Sequence, residues 1–136
     1  MKRLDSKVAI VTGASKGIGA GIAKAFGVEG AAVIVNYARD QAGAEQVVRE
    51  ITGNGGRAIA VQGDVAQRSD AQRLVAGAQK AFGRLDVLVN NAGVFSFAPF
   101  EQFSEQEFHR QFNTNVLGMF LMIEAAFRPS ERKAAA

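Results

Sequence analysis

The sequence predicts an α/β fold: a doubly wound parallel sheet of about four strands between layers of helix. Short, almost wholly apolar runs recur along the chain, and each is followed by a segment of helical period. The first run also passes through three glycines, Gly13, Gly17 and Gly19, before its helix begins. Apolar runs without polar alternation suit strands covered on both faces, as in a parallel sheet between helices. The 136 residues make one domain at most, large enough to bury roughly two-thirds of its unfolded surface.

The elements follow in order. Strands are expected at 7–12, 31–36, 57–62 and 86–90, the clearest runs being Ala31-Ala32-Val33-Ile34-Val35 and Val87-Leu88-Val89. The first helix opens at Gly17–Gly19 and presents Ile18, Ile22, Ala25 and Phe26 as its apolar stripe. A second helix over 40–53 is capped by Asp40 and lined by Ala44, Val47, Val48 and Ile51, then stopped by Gly53-Asn54-Gly55-Gly56. The third, over 67–82, buries Ala71, Leu74, Val75, Ala78 and Phe82 and stops at Gly83. Right-handed crossovers then give the strand order 3-2-1-4. A last helix starts at Ser104, where Ser104-Glu105-Gln106-Glu107 reads as a capping box. It runs through Phe108, Phe112, Asn115, Met119 and Ile123 to about Phe127, where Arg128-Pro129 should end it. Its stretch Val116 to Ile123 is apolar nearly all round and needs cover on more than one side.

Composition excludes several classes. A net charge of +3 with scattered basic residues argues against nucleic acid as a partner, the only clusters being Lys2-Arg3 and Arg128 to Lys133. With no cysteine there is no disulfide frame and no thiolate metal site, which fits a reducing cytoplasm, and no metal is expected. Met1-Lys2-Arg3-Leu4-Asp5 has the charges of a signal peptide without the apolar core behind them. The longest apolar stretch, Val116 to Ile123 with Gly118 inside it, is too short to span a bilayer. A soluble product is expected.

The chemistry sits in Val8-Ala9-Ile10-Val11-Thr12-Gly13-Ala14-Ser15-Lys16-Gly17-Ile18-Gly19. A buried strand that turns through glycines into a helix N-terminus holds a phosphate: the glycines allow close backbone approach, and free N–H groups with the helix dipole favour negative charge. A P-loop would need lysine after its second glycine, where Ile18 stands, and Gly13 and Gly17 do not satisfy Gly-x-Gly-x-x-Gly. Thr12-Gly13-x-x-x-Gly17-Ile18-Gly19, with Asn90-Asn91-Ala92-Gly93 after the fourth strand and Asn115-Val116-Leu117-Gly118 in a helix, resembles the short-chain dehydrogenase/reductase family. General texture is similar to its 3-oxoacyl-carrier-protein reductase and sugar dehydrogenase branches. The fold implied is a Rossmann-type sheet, here a partial NAD(P)-binding domain over 1–127 followed by an unstructured tail, 128–136, unlike the family.

The resemblance implies roles residue by residue. Gly13, Ala14, Ser15, Lys16, Gly17, Ile18 and Gly19 would seat the pyrophosphate and the adenosine ribose. At the second strand's end, where an acid would select NAD, stands Asn36, with Arg39 three residues on; Lys16 and Arg39 together favour NADP. Asp64 and Val65 match the adenine contact, although Asp64 also reads as a turn residue that starts the next helix. Asn91, Ala92 and Gly93 would line the cofactor while Asn90 ties strands together, and Asn115 matches the asparagine of the catalytic set. His109 reads as a surface residue.

One departure bears on activity. Family members are usually about twice this long and carry a Tyr-x-x-x-Lys pair that handles the proton at the substrate oxygen. The only tyrosine here is Tyr37, and Gln41 stands four residues on. Three readings follow: an NADP-dependent oxidoreductase of small carbonyl or alcohol substrates, represented by its cofactor half; a nucleotide-binding fragment without turnover; or a fragment without a stable fold. An uncovered fourth strand and last helix would also make the chain self-associate.

Overall fold

The computed structural model describes the backbone from residue 2 to 135 and the side chains as far as Phe127. Four parallel strands, β1 (Val8–Val11), β2 (Ala32–Tyr37), β3 (Arg57–Gln62) and β4 (Val87–Val89), lie in the order β3-β2-β1-β4. The register sets Ile34 between Ile10 and Ile59, and Leu88 beside Ile10. Helices α1 (Gly17–Val28), α2 (Gln41–Gly53) and α3 (Arg68–Phe82) are the crossovers, and α4 (Glu105–Phe112) and α5 (Gly118–Ala135) follow a 3-10 turn at Phe100–Gln102.

Side-chain alternation sends neighbouring strand residues into opposite layers. Val8, Ile10, Ala32 and Ile34 pack with Leu74 and Val75 of α3 and with Leu121, Met122 and Ala125 of α5. Val11, Val33 and Val35 pack with Ala20 and Ala23 of α1 and with Ala44, Val47 and Ile51 of α2. β1 and β2 are accordingly buried along almost their whole length, whereas β3 and β4 are sheet edges and only partly covered.

Half of the expected α1 stripe packs inward: Ile22 and Phe26 are partly buried against the core, while Ile18 and Ala25 are exposed. Ile18 is 78% exposed, and the face against the sheet consists of Gly19, Ala20, Ala23 and Gly27. Small residues carry the contact because the helix lies too close for larger ones: a Cβ on Gly19 would collide with the Asn91 amide nitrogen and the Gly13 carbonyl oxygen. α2 and α3 match expectation, with the Asp40 carboxylate accepting from the Gly43 N–H at 3.0 Å and Gly83 closing α3 at φ +82°.

The last helix is divided. Five residues, Asn113–Leu117, form one π-helical turn between α4 and α5. A turn of this kind rotates the following face. Gly118, just beyond it, rests on Val65, whose Cγ2 would lie 2.6 Å from an added Cβ. Only half of the expected capping box forms. Ser104 Oγ accepts from the Glu107 N–H at 3.1 Å, but the Glu107 carboxylate is drawn to Arg110, Ser96 and Gln111 instead of returning to Ser104. α5 extends to Ala135, past the stop expected at Arg128-Pro129; a proline removes one helical N–H and can kink a helix without ending it. The side chains of 128–136 lie outside the described residues, as does the expectation of a tail unlike the family. Leu121 and Met122 are buried, while Phe120 and Phe127 remain 61% and 66% exposed.

Candidate functional site

The carboxyl ends of the four strands open into one cleft of about 770 Å3. A doubly wound sheet receives its ligands at this end. Gly13, Ser15, Lys16, Gly17, Ile18, Asn36, Arg39, Asp64, Val65, Asn91, Ala92 and Gly93 all line it. Ala14 and Gly19 lie beneath its floor, buried, and Asn115 stands behind its far wall. Sequence reasoning missed Tyr37, Ala38 and Asp40 at one end and Val94, Phe95, Arg110 and Thr114 at the other. The spacing of Arg110 and Thr114, one helical turn apart, was a usable sign; Phe95 carried none.

The floor is the turn from β1 into α1. Gly13 and Gly17 adopt φ +59° and +60°, the left-handed region that glycine enters freely. No side chain caps α1, and its first turn carries no acid, whereas α2 and α4 have their first N–H groups occupied by Asp40 and Ser104. The uncapped N–H groups at Gly17–Gly19 face the cleft as donors for an anion. The residues present therefore fit the pyrophosphate of a dinucleotide.

The rim is held by side chains that bond to backbone. Thr12, 1% exposed, accepts at Oγ1 from the N–H groups of Asn91 and Ala92 at 3.0 and 2.9 Å and donates to the Val89 carbonyl at 3.3 Å. Asn91 donates from its amide to the carbonyls of Thr12 and Gly13, each at 3.1 Å. The tie expected of Asn90 thus belongs to Asn91, and Asn90 is exposed. Successive residues at a strand end point to opposite sides, and the side facing β1 falls to Asn91.

Asn36 is also spent within the protein. Its Oδ1 accepts from the Gly13 N–H at 3.0 Å, and its amide donates to the carbonyls of Val61 at 3.2 Å and Gly63 at 3.1 Å. It lines the cleft at 2% exposure and offers its side chain to the loops rather than to a ligand. Asp64 serves its own loop, accepting from the Ala66 N–H at 2.9 Å, and the Asp70 carboxylate takes the Asp64 N–H at 2.9 Å. That bond, with Arg73 nearby, holds the Asp70 carboxyl below the usual range.

At the far end Asn115 lies in the π-helical turn. Its Oδ1 accepts from the Val94 N–H at 2.7 Å and its amide donates to the Val94 carbonyl at 2.8 Å. This two-way clasp pins the segment after β4 to the helix and explains why a poor mid-helix residue occurs there. Below it, Glu107 pairs with Arg110 at 2.6 and 2.8 Å and accepts from Gln111 and Ser96. The Arg110 guanidinium, aided by Gln111 and Ser96, pulls the Glu107 pKa down to about 2.

A family model for short chain dehydrogenases matches residues 7–135. The chain belongs to this family. An uncharacterized oxidoreductase of Methylorubrum extorquens is 58% identical over 126 residues, 93% of this chain and 51% of that protein. Versicolorin reductase 1 of Aspergillus parasiticus is 46% identical over 93% of this chain and 48% of its own length. A short chain dehydrogenase of Burkholderia cenocepacia, solved in complex with NADP, superposes with a TM-score of 0.90 at 39% identity, covering 93% of this chain and 52% of that one. The chain spans about half the length of the relatives it matches. Short-chain dehydrogenases are oxidoreductases that bind NAD(P), and the order β3-β2-β1-β4 is the Rossmann-like arrangement shared with these neighbours. No helix among the described residues is long and apolar enough to cross a membrane, and among them no cluster of three or more His, Cys, Asp or Glu could hold a metal.

Proposed function

We propose that this chain is the cofactor-binding part, residues 1–127, of an NADP(H)-dependent oxidoreductase acting on a small carbonyl or alcohol substrate. The observation that supports this most is the ribose end of the cleft. An acid at the end of β2 would hydrogen-bond a 2′-hydroxyl and repel a 2′-phosphate, but Asn36 stands there with its amide turned inward. Lys16 and Arg39 are exposed on the rim, and Asp40, the nearest acid, is occupied as the α2 cap. The bound nucleotide would supply the hydride chemistry. The protein's part is to seat the pyrophosphate on Gly13–Gly19, frame adenine with Asp64 and Val65, and hold the reacting end against Asn91–Gly93, with Asn115 behind. The setting proposed is cytoplasmic, without a nucleic-acid partner.

One charge-assisted phosphate contact contributes about 1.5–3 kcal/mol, so NADPH should bind at least about tenfold more tightly than NADH. Calorimetric titration should show that ratio shrinking in Arg39→Ala. Equal affinities, or an unchanged ratio in the variant, would remove the basis for the assignment.

A second reading, nucleotide binding without turnover, is favoured for this 136-residue polypeptide because its only tyrosine, Tyr37, has Gln41 four residues on. A spectrophotometric assay with ketones and aldehydes should show no NADPH oxidation. Turnover that Asn115→Ala abolishes would reject this reading.

A further inference from the structure

Arg39 sits in the short loop 38–40 between β2 and α2. The ends of that loop are settled by backbone and cap. The Tyr37 carbonyl accepts from the Gly63 N–H at 2.9 Å, and the Asp40 carboxylate from the Gly43 N–H at 3.0 Å. The Ala38 carbonyl, on the peptide that leads into Arg39, accepts instead from the side-chain amide of Gln62 at 3.0 Å. Gln62 closes β3 and is exposed, yet it is not loose. Arg73 of α3 donates to its main-chain carbonyl and, at 3.2 Å, to its side-chain oxygen. A guanidinium only donates and a carbonyl only accepts, so the amide of Gln62 has one orientation: oxygen toward α3, nitrogen toward the loop. Arg73 in turn pairs with Asp70 at 3.3 Å, which balances its charge. Gln62 and Arg73 stand outside the cleft, whose lining at this end is Tyr37, Ala38, Arg39 and Asp40.

We infer that Gln62, held by Arg73, is a positioning residue for cofactor selection: it fixes the Ala38–Arg39 peptide so that the Arg39 guanidinium is presented to the 2′-phosphate of NADPH. The inference rests on the NADP reading above. Rotating that peptide turns φ of Arg39, and a guanidinium at the end of a long side chain then swings far from its target. A loop already fixed before binding also spares the ligand the cost of ordering it. NADH has a hydroxyl where NADPH has the phosphate and gives Arg39 no anion to meet. The tie should therefore act on one cofactor and leave the other almost untouched, which a residue that merely props up β3 would not do.

Calorimetric titration of the 136-residue chain with NADPH and with NADH tests this. Gln62→Met keeps the side chain's length and charge and removes its donor and acceptor. Its NADPH-to-NADH affinity ratio should fall about threefold to tenfold, the span of one ordinary hydrogen bond, through NADPH alone. In the Arg39→Ala background the same change should leave the ratio where it is, because the group it positions is gone. Where Gln62→Met does not fold, Arg73→Met should lower the ratio in the same way, and again only while Arg39 is present. Equal weakening of NADPH and NADH would overturn the positioning role, and so would a ratio that either change still lowers in the Arg39→Ala background. A ratio that Arg39→Ala lowers and Gln62→Met does not would overturn this inference alone. A parent ratio that Arg39→Ala leaves unchanged would overturn the NADP reading and this inference with it.

Discussion

Replacing Thr12 with valine keeps the shape of a side chain that is 1% exposed and removes only its hydroxyl. That hydroxyl accepts two backbone N–H groups, from Asn91 and Ala92, and donates to the Val89 carbonyl. A buried donor left without a partner costs about 1–3 kcal/mol. The Asn91 N–H also donates to the Val89 carbonyl at 3.1 Å and keeps that acceptor, so the loss falls on the half-buried Ala92 N–H and Thr12→Val should cost about 1–3 kcal/mol. With a urea dependence of about 1–3 kcal/mol per molar, the unfolding midpoint should fall by about 1 M. Thr12→Ser retains the three bonds and should lose far less, chiefly the contacts of one methyl group. The assay is urea unfolding followed by circular dichroism, with NADPH titration of whatever remains folded. A Thr12→Val midpoint equal to that of the parent, or serine no better than valine, would refute the claim that this hydroxyl holds the rim.

Gly118→Ala sets a helix-propensity gain of about 1 kcal/mol against overpacking of about 1–3 kcal/mol. Because the added carbon would lie 2.6 Å from Val65 Cγ2, overpacking should win, read as a lower melting temperature. Glu107, Asp70 and Asp86 titrate below their ordinary values, so each stabilises the fold above its unfolded pKa and loses that contribution as pH falls through its folded one. Stability should therefore decline from pH 4.5 down to about 2, and Asp86→Asn, which removes the charge paired with Arg84 but leaves an amide oxygen for the Val8 N–H, should flatten the pH dependence of the melting temperature. β4 is an edge strand of three half-buried residues, and Phe120 and Phe127 of α5 are exposed. The chain should self-associate at micromolar concentration in light scattering; a monodisperse monomer with a sharp melt would reject this.

The sheet was legible because its strands are apolar runs separated by helical period, a pattern that survives without any knowledge of contacts. What failed was half of the reading of α1, where hydrophobicity pointed to Ile18 and Ala25 while burial fell to Gly19, Ala20, Ala23 and Gly27. A hydrophobic count rewards size, and a helix pressed against a sheet selects for its absence. Asn36 was legible only in part. Its place at a strand end was read correctly, but a sequence does not reveal that four backbone groups converge on one amide. Asn115 lay between: its awkward place in a helix announced a local need, and the need proved to be the Val94 backbone.

These cases share a cause. Parallel strands have no hairpins, so nothing covalent and local joins their carboxyl ends, and the loops that form a cleft there must be tied across long sequence separations. Thr12 ties β1 to the segment after β4, Asn36 ties the β1 loop to the β3 loop, and Asn115 ties the β4 segment to the helix. Each tie is a short polar side chain bonded to backbone, the cheapest way to fix a loop in a buried or half-buried setting where an unpaired amide is costly. The backbone groups left over at the cleft floor, the uncapped N–H groups of α1, are then free and already oriented for a ligand. Polar residues at the strand ends need not touch a ligand to shape the cleft; they act by keeping its backbone donors in place.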